Sequence, residues 1–181
     1  GIDGLASSLG VFYFFTTSFV MHSLGYEPIP ELILGSICFG FIFINFSKNK
    51  LFMGDSGSLF LGFLVSFLSI STIFNELLPI TYWMIVLSFC LTETTLTTAY
   101  RVLFIPKWYA PHRSHAYQNL ARIRNNHWKI SLGIFLFHVF WLLPLAYFSV
   151  FSGINSFTLI FLAFLPTFIF NIKFGPRFSS S

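Results

Sequence analysis

Charged residues are scarce in this sequence. Only 9% of its 181 residues are Asp, Glu, Lys or Arg, and 55% are hydrophobic, whereas soluble domains carry roughly 25% charged residues. This shortage excludes an ordinary soluble domain, because too few charges remain to cover a surface in water. Cysteine is also rare. Cys38 and Cys90 both lie in apolar runs, so they predict neither a disulfide framework nor a zinc site.

Long apolar runs recur along the whole chain. Each is long enough, or nearly so, to cross a hydrocarbon core of roughly 30 Å as a helix. The six predicted spans lie at about residues 6–22, 31–46, 57–75, 79–104, 130–151 and 155–172. The predicted fold class is therefore all-α, a polytopic membrane protein with about six transmembrane helices in a single domain, residues 1–181. The first run is not a signal peptide, because Asp3 precedes it instead of a basic segment.

The basic residues predict the orientation of these spans. All ten Lys and Arg residues fall on one side of the alternating topology, within residues 45–57, 101–129 and 171–181. By the positive-inside rule this side is cytoplasmic, so both ends of the chain and the loops at about 45–57 and 105–129 are expected in the cytoplasm. The net charge of +4 is mostly this topology signal, and we expect no nucleic acid partner.

Three polar motifs precede the first, third and fifth predicted spans. They are GIDGLASS at 1–8, FMGDSGS at 52–58 and PHRSHAYQ at 111–118. Helix N-termini carry unpaired N–H groups and a partial positive charge, so three such ends beside acids and bases suit a metal-bound polyphosphate. The alternative is that Asp3 and Asp55 serve only as helix N-caps, a position that Asp favours.

The third motif and the fourth span leave two further questions open. His112 and His115 have a spacing that zinc can use, but a third ligand is missing nearby, and Arg113 between them favours an anion. Alternatively, this loop only anchors the topology. Glu93 is an ionisable residue inside a span and shares a helical face with Thr97 and Arg101. This face either stabilises the bundle or arranges the site.

The three motifs together resemble a known family. GIDGLA at 1–6, FMGDSGSLFLG at 52–62 and KWYAPHRSHAYQNLA at 107–121 are similar to motifs of the bacterial polyprenyl-phosphate N-acetylhexosamine-1-phosphate transferases of glycosyltransferase family 4. The resemblance covers the C-terminal part of such a transferase. The family's paired aspartates, and the Asn and first Asp of the motif that ends at Asp3, are not in this sequence. The first residue, Gly1, also leads us to expect a fragment or a processed chain.

This resemblance implies an activity and its partners. The family transfers a sugar 1-phosphate from a UDP-sugar to undecaprenyl phosphate and releases UMP, with Mg²⁺ as the cofactor and Mn²⁺ as an alternative. The expected partners are a UDP-N-acetylhexosamine, undecaprenyl phosphate, membrane lipid and, as an open option, a second copy of the chain. The expected location is the bacterial inner membrane with a cytoplasmic active site, where the reaction would initiate O-antigen or capsule synthesis.

The resemblance also assigns roles to residues. Asp3 and Asp55 are the expected catalytic acids, Asp55 is the expected metal ligand, and His112, Arg113 and His115 are expected to bind the nucleotide diphosphate. Two other functions stay open. One is an inactive fragment or an assembly partner of a complete homologue, and the other is a transporter subunit, which the apolar middle of the spans disfavours. The sugar is not specified by the sequence.

Overall fold

The computed structural model describes residues 4–45 and 51–176. Within these ranges the chain is helical, with short connections and no β-strand, which confirms the predicted all-α class. The helices in chain order are α1 (Leu5–Ser23), α2 (Ile29–Asn45), α3 (Gly54–Phe74), α4 (Ile80–Val86), α5 (Ser88–Phe104), α6 (Ala116–Arg124), α7 (His127–Phe137), α8 (Leu143–Phe151) and α9 (Ser156–Phe174). A π-helical turn, His138–Leu142, joins α7 to α8.

Each of the six predicted spans coincides with a helix or with consecutive helices. Among the described residues, four helical stretches are long and apolar enough to cross a membrane, namely α1, α3, α7 through α8, and α9. Counting α4 and α5 as one bent span gives up to five. The predicted second span is the shorter apolar helix α2, with 17 residues. These lengths support a polytopic membrane protein.

The fourth predicted span, residues 79–104, is not a straight helix. It breaks at Leu87 into α4 and α5, and the bend between them is 67°. Sharp bends usually have proline or glycine at the break, but neither residue is present here, so the apolar pattern predicted one continuous span. Beyond the bend α5 packs against α9, while α4 packs against α8 and α9.

α1 is the most buried of the candidate spans, with 78% of its apolar window inside the protein. It packs most extensively against α2. Two glycines keep this contact close, because a Cβ at Gly10 would lie 2.8 Å from Cys38 Sγ and one at Gly35 would lie 2.9 Å from the Phe15 ring. Small residues allow membrane helices to approach in this way. Leu5, Ser7 and Ser8 are also buried, so the first turn of α1 lies inside the bundle as well.

The third polar motif does not lead directly into the fifth span. Residues 116–124 form the separate short helix α6, which ends at Asn125 in a left-handed conformation before α7 begins. The sequence placed this segment in a loop at about 105–129, because a stretch of nine residues with two arginines carries no membrane signal. α6 packs against α9 and α7, so the motif is anchored on the bundle.

Candidate active site

A cavity of about 490 Å³ opens where the first turns of α1 and α3 face α5. Its polar groups come from distant parts of the chain. The polar groups at its wall include those of Gly4, Asn45, Asp55, Glu93, His115 and Tyr117. The fold thus brings together all three sequence motifs.

Asp55 is the carboxylate at the mouth of this cavity. It is the second residue of α3 and is exposed, and the N-cap position belongs to Met53. Gly54, between them, has a φ of +67°, a conformation that glycine adopts without steric cost. The structure therefore contradicts the alternative in which Asp55 is the N-cap of the third span. Its charge lies in the first helical turn, where a helix favours an anion.

Asn45, at the end of α2, connects the first motif to Leu51, the residue directly before the second motif. Its Oδ1 accepts a hydrogen bond from the Gly4 N–H at 2.6 Å, and its Nδ2 donates to the Leu51 carbonyl at 2.8 Å. The side chain is buried, and its bond to Gly4 is shielded from water, whereas the bond to Leu51 is only partly buried. Sequence reasoning missed this residue. The only signal was a single amide closing an apolar helix, which equally fits an ordinary helix end.

Arg101 fixes the first part of the segment between α5 and α6. It is buried in the last turn of α5, and its guanidinium donates to the carbonyls of Trp108 at 2.7 and 3.1 Å, Ala110 at 2.9 Å and Lys107 at 3.4 Å. Backbone carbonyls in a segment without regular structure need such donors. The sequence indicated a polar face on α5, and Arg101 on this face fixes the segment between α5 and α6.

Glu93 fixes the second part of the same segment. One carboxylate oxygen lies 2.9 Å from His115 Nδ1, and the other accepts the Ala116 N–H at 2.9 Å. The Thr97 hydroxyl donates to the first oxygen at 3.4 Å. Glu93 therefore holds both the N-cap residue and the first N–H of α6, and of the two sequence interpretations the contacts favour the one that arranges the site.

The other two residues of the histidine motif are His112 and Arg113. The His112 ring centroid is 5.2 Å from that of His115, and its Nδ1 is 2.9 Å from Ser114 Oγ. Burial first, and then the neighbouring Arg101 and His115, lower the pKa of His112, which favours its neutral form. Arg113 is exposed, and its carbonyl accepts a bond from Arg122. Among the described residues, the cavity wall includes His115 but neither His112 nor Arg113.

Tyr117 closes the histidine side of the cavity. Its ring stacks on His115 with centroids 5.3 Å apart and an interplanar angle of 14°. Burial, and secondarily the carboxylate of Glu93, raises the pKa of Tyr117 to about 12. The phenol therefore stays neutral and can donate a hydrogen bond.

Two expectations about helix ends need correction. The Gly4 N–H and the Ala116 N–H, which lie at the starts of α1 and α6, already bind Asn45 and Glu93. They are not available to an anion in this arrangement. The third end belongs to α6 and not to the fifth span. Asp3 lies outside the described residues, although its neighbour Gly4 lines the cavity.

Comparison with known proteins identifies similar sequences. Residues 1–73 match the model of glycosyl transferase family 4. The chain is 36% identical over 144 residues to a probable undecaprenyl-phosphate N-acetylglucosaminyl 1-phosphate transferase of Bacillus subtilis, a match that covers 75% of this chain and 39% of that protein. It is 26% identical over 161 residues to a decaprenyl-phosphate N-acetylglucosaminephosphotransferase of Mycobacterium tuberculosis, with the same coverage of each chain.

A shorter match is to a transferase with a different name. The chain is 34% identical over 82 residues to a phospho-N-acetylmuramoyl-pentapeptide-transferase of Moorella thermoacetica, which covers 44% of this chain and 26% of that protein. No solved structure matches the chain. The chain therefore spans about two-fifths of the length of the curated relatives that it matches over most of its own length.

Proposed function

We propose, from the premise that this chain belongs to glycosyl transferase family 4, that its cavity is part of an active site for sugar 1-phosphate transfer. The donor is a UDP-N-acetylhexosamine, the acceptor is undecaprenyl phosphate, and the product is an undecaprenyl diphosphate sugar. The observation that carries this proposal is the meeting of Asp55 and His115 in one cavity at the ends of apolar helices. A lipid phosphate can reach such a place while its tail stays in the bilayer.

The reaction joins two anions. An oxygen of undecaprenyl phosphate bonds to the β-phosphorus of the UDP-sugar, and the bond from this phosphorus to the oxygen bridging the α-phosphate breaks, so that UMP leaves. Groups that offset negative charge stabilise such a transition state. Arg113 is exposed two positions before His115, which lines the cavity, and a planar guanidinium can bind a phosphate by two hydrogen bonds.

We include Mg²⁺ in this proposal. Among the described residues, no group of three or more His, Cys, Asp or Glu side chains could hold a metal ion. A site with so few protein ligands suits Mg²⁺ better than a metal that is coordinated only by protein side chains. Mg²⁺ usually binds one or two carboxylates together with water and substrate phosphates. Asp55, exposed at the cavity mouth, would hold the ion, and Asp3 is the second candidate acid. The ion would neutralise charge on the diphosphate.

The proposed side of the membrane is the cytoplasm. The helix ends that form the cavity are on the side of the three basic segments defined in the sequence, and the positive-inside rule places those segments in the cytoplasm. UDP-sugars are soluble anions, so a basic surface favours their approach. In a bacterium this corresponds to the inner membrane, and O-antigen or capsule initiation is the proposed role.

The test compares Asp55→Asn with Glu27→Gln in the intact polypeptide that carries this chain. Both variants lose one exposed carboxylate, but Glu27 lies at the opposite end of the bundle. Each protein is assayed in matched membranes for UMP release from UDP-N-acetylglucosamine with undecaprenyl phosphate, with EDTA and then with added Mg²⁺. The wild type and Glu27→Gln should release UMP only when Mg²⁺ is present, and Asp55→Asn should lose activity by orders of magnitude.

The size of the effect separates a metal ligand from a helix-end charge. A carboxylate that only interacts with the dipole of α3 contributes about 0.3–1 kcal/mol, so its loss would leave turnover nearly unchanged. Near-wild-type turnover in Asp55→Asn therefore contradicts the metal assignment. If the wild-type protein releases no UMP, the result contradicts the proposed transferase activity and favours the alternative, an assembly partner of a complete homologue.

A further inference from the structure

Glu93 is a carboxylate in an unusual place. It lies in α5, one of the apolar segments, and its side chain is 4% exposed. A buried charge is unfavourable unless hydrogen-bond donors surround it, and an ionisable residue in a membrane segment usually has a functional partner. The donors around Glu93 are therefore informative.

Three donors converge on the two oxygens of Glu93. The Ala116 N–H and the Thr97 hydroxyl are two of them, and the third position, 2.9 Å from the carboxylate, is His115 Nδ1. An ionised carboxylate can only accept hydrogen bonds. The ring hydrogen of a neutral His115 therefore belongs on Nδ1, and the lone pair belongs on Nε2.

The surroundings of the His115 ring set its direction. The ring stacks on Tyr117 at 5.3 Å and contacts the tilted ring of His112 at 5.2 Å. Its Nδ1 side meets the buried Glu93, while the His115 side chain keeps 20% exposure and lines the cavity that holds Asp55. The stacking on Tyr117 and the contact of Nδ1 with Glu93 thus restrain the ring.

We propose that Glu93 is a positioning residue, which holds His115 as the Nδ1–H tautomer and presents its unprotonated Nε2 to the substrate phosphates. This inference rests on the proposed function, because it assigns the cavity to phosphate chemistry. Nε2 then accepts a proton or a hydrogen bond from a phosphate hydroxyl. A carboxylate partner selects the tautomer of a histidine through the bond that it accepts.

Glu93→Gln tests the tautomer without removing the anchor. Glutamine has the same length, and its carbonyl oxygen still accepts the Ala116 N–H. Its amide group donates to His115 Nδ1, which must become an acceptor, so the hydrogen moves to Nε2. A purely structural role of Glu93 would tolerate this change, because both contacts persist.

The first readout does not depend on activity. The intact polypeptide is labelled with ¹⁵N-histidine in detergent micelles, and long-range ¹H–¹⁵N correlation assigns the tautomer of its histidines, five of which lie in this chain, with His115→Gln identifying the signal. The expected result is Nδ1–H for His115 in the wild type and Nε2–H in Glu93→Gln. The same tautomer in both proteins, or Nε2–H in the wild type, overturns the proposal.

The second readout is UMP release. Glu93→Gln should lower kcat by about 100- to 10,000-fold, the range for loss of a positioned proton acceptor, with little change in KM for the UDP-sugar. Glu93→Asp keeps an acceptor carboxylate and should recover part of kcat. The control is Glu31→Gln, because Glu31 is also a buried carboxylate, 5% exposed, but lies in the first turn of α2.

The two readouts separate the failure of this inference from that of the proposed function. An inactive wild type with an Nδ1–H His115 that switches in Glu93→Gln contradicts the proposed reaction and keeps the tautomer assignment. An active wild type with unchanged kcat in Glu93→Gln contradicts the positioning role alone. Equal losses in Glu93→Gln and Glu31→Gln would show a general effect of removing a buried charge and would also overturn it.

Discussion

Replacing Asn45 should destabilise the site more than the rest of the bundle. Asn45→Leu keeps the approximate volume of the side chain but removes both of its hydrogen bonds, to the Gly4 N–H and the Leu51 carbonyl. An unsatisfied buried group costs about 1–3 kcal/mol. Gly4 is buried, whereas Leu51 is exposed, so water can partly replace the second bond. We expect a total loss of about 2–4 kcal/mol in the free energy of unfolding.

The assay is thermal unfolding of the purified protein in detergent, followed by UMP release in membranes. For domains of 150–250 residues each kcal/mol lowers Tm by roughly 2–4 °C, so Asn45→Leu should lower Tm by about 5–15 °C. Its kcat/KM should fall as well, because Gly4, in the first motif, and Leu51, next to the second motif, no longer share a fixed support. Addition of UDP-sugar and Mg²⁺ should raise the Tm of the wild type more than that of the variant.

Asn75→Leu is the matched control. Asn75 also lies at a helix end and donates one amide hydrogen bond, to the Ser71 carbonyl at 2.8 Å, but it is exposed and lies at the end of α3 remote from Asp55. Its replacement should change the free energy of unfolding by less than about 1 kcal/mol. Equal Tm values for Asn45→Leu and Asn75→Leu would refute the role of Asn45 as the connection between the two motifs.

Two further predictions concern the histidine motif and the topology. Arg113→Ala should raise KM for the UDP-sugar and lower kcat/KM strongly, and Arg113→Lys should recover only part of kcat/KM because lysine lacks the planar guanidinium. The control is Arg124→Ala, an exposed change at the end of α6. Equal small effects of the two alanine variants would contradict phosphate binding by this loop and favour a role in topology alone. In a background without Cys38 and Cys90, a membrane-impermeant thiol reagent added outside intact cells should label Glu27→Cys and Gly153→Cys but not Arg113→Cys. External labelling of Arg113→Cys would reverse the proposed orientation.

The apolar periodicity was sufficient to locate the helices that form the bundle. All six runs coincide with helical segments, because a helix satisfies every backbone group within itself and is the preferred structure of an apolar run in a bilayer. The bend at Leu87 was not predictable in this way, since it has no proline or glycine. α6 was missed for a related reason, because its stability comes from packing on α9 and α7 and not from its own short sequence.

The candidate site was predicted in part. Asp55 and His115 were expected from their motifs, and both line the cavity. Asn45 was not expected, because its role depends on Gly4, a partner 41 positions away. The partner of Glu93 was not predicted either. Its spacing to Thr97 and Arg101 is local and visible in the sequence, whereas its bonds to His115 and Ala116 span 22 and 23 positions.

The carbonyls gathered around Arg101 have a consequence for how tightly a ligand can bind. Ordering the backbone of one residue costs about 1–2 kcal/mol of conformational entropy, and a segment that ordered only on binding would subtract this cost from affinity. Residues 107–110 are already held by one guanidinium from α5. This entropy cost is incurred when the bundle folds. A ligand that binds at the adjacent histidines therefore contacts a segment that is already ordered.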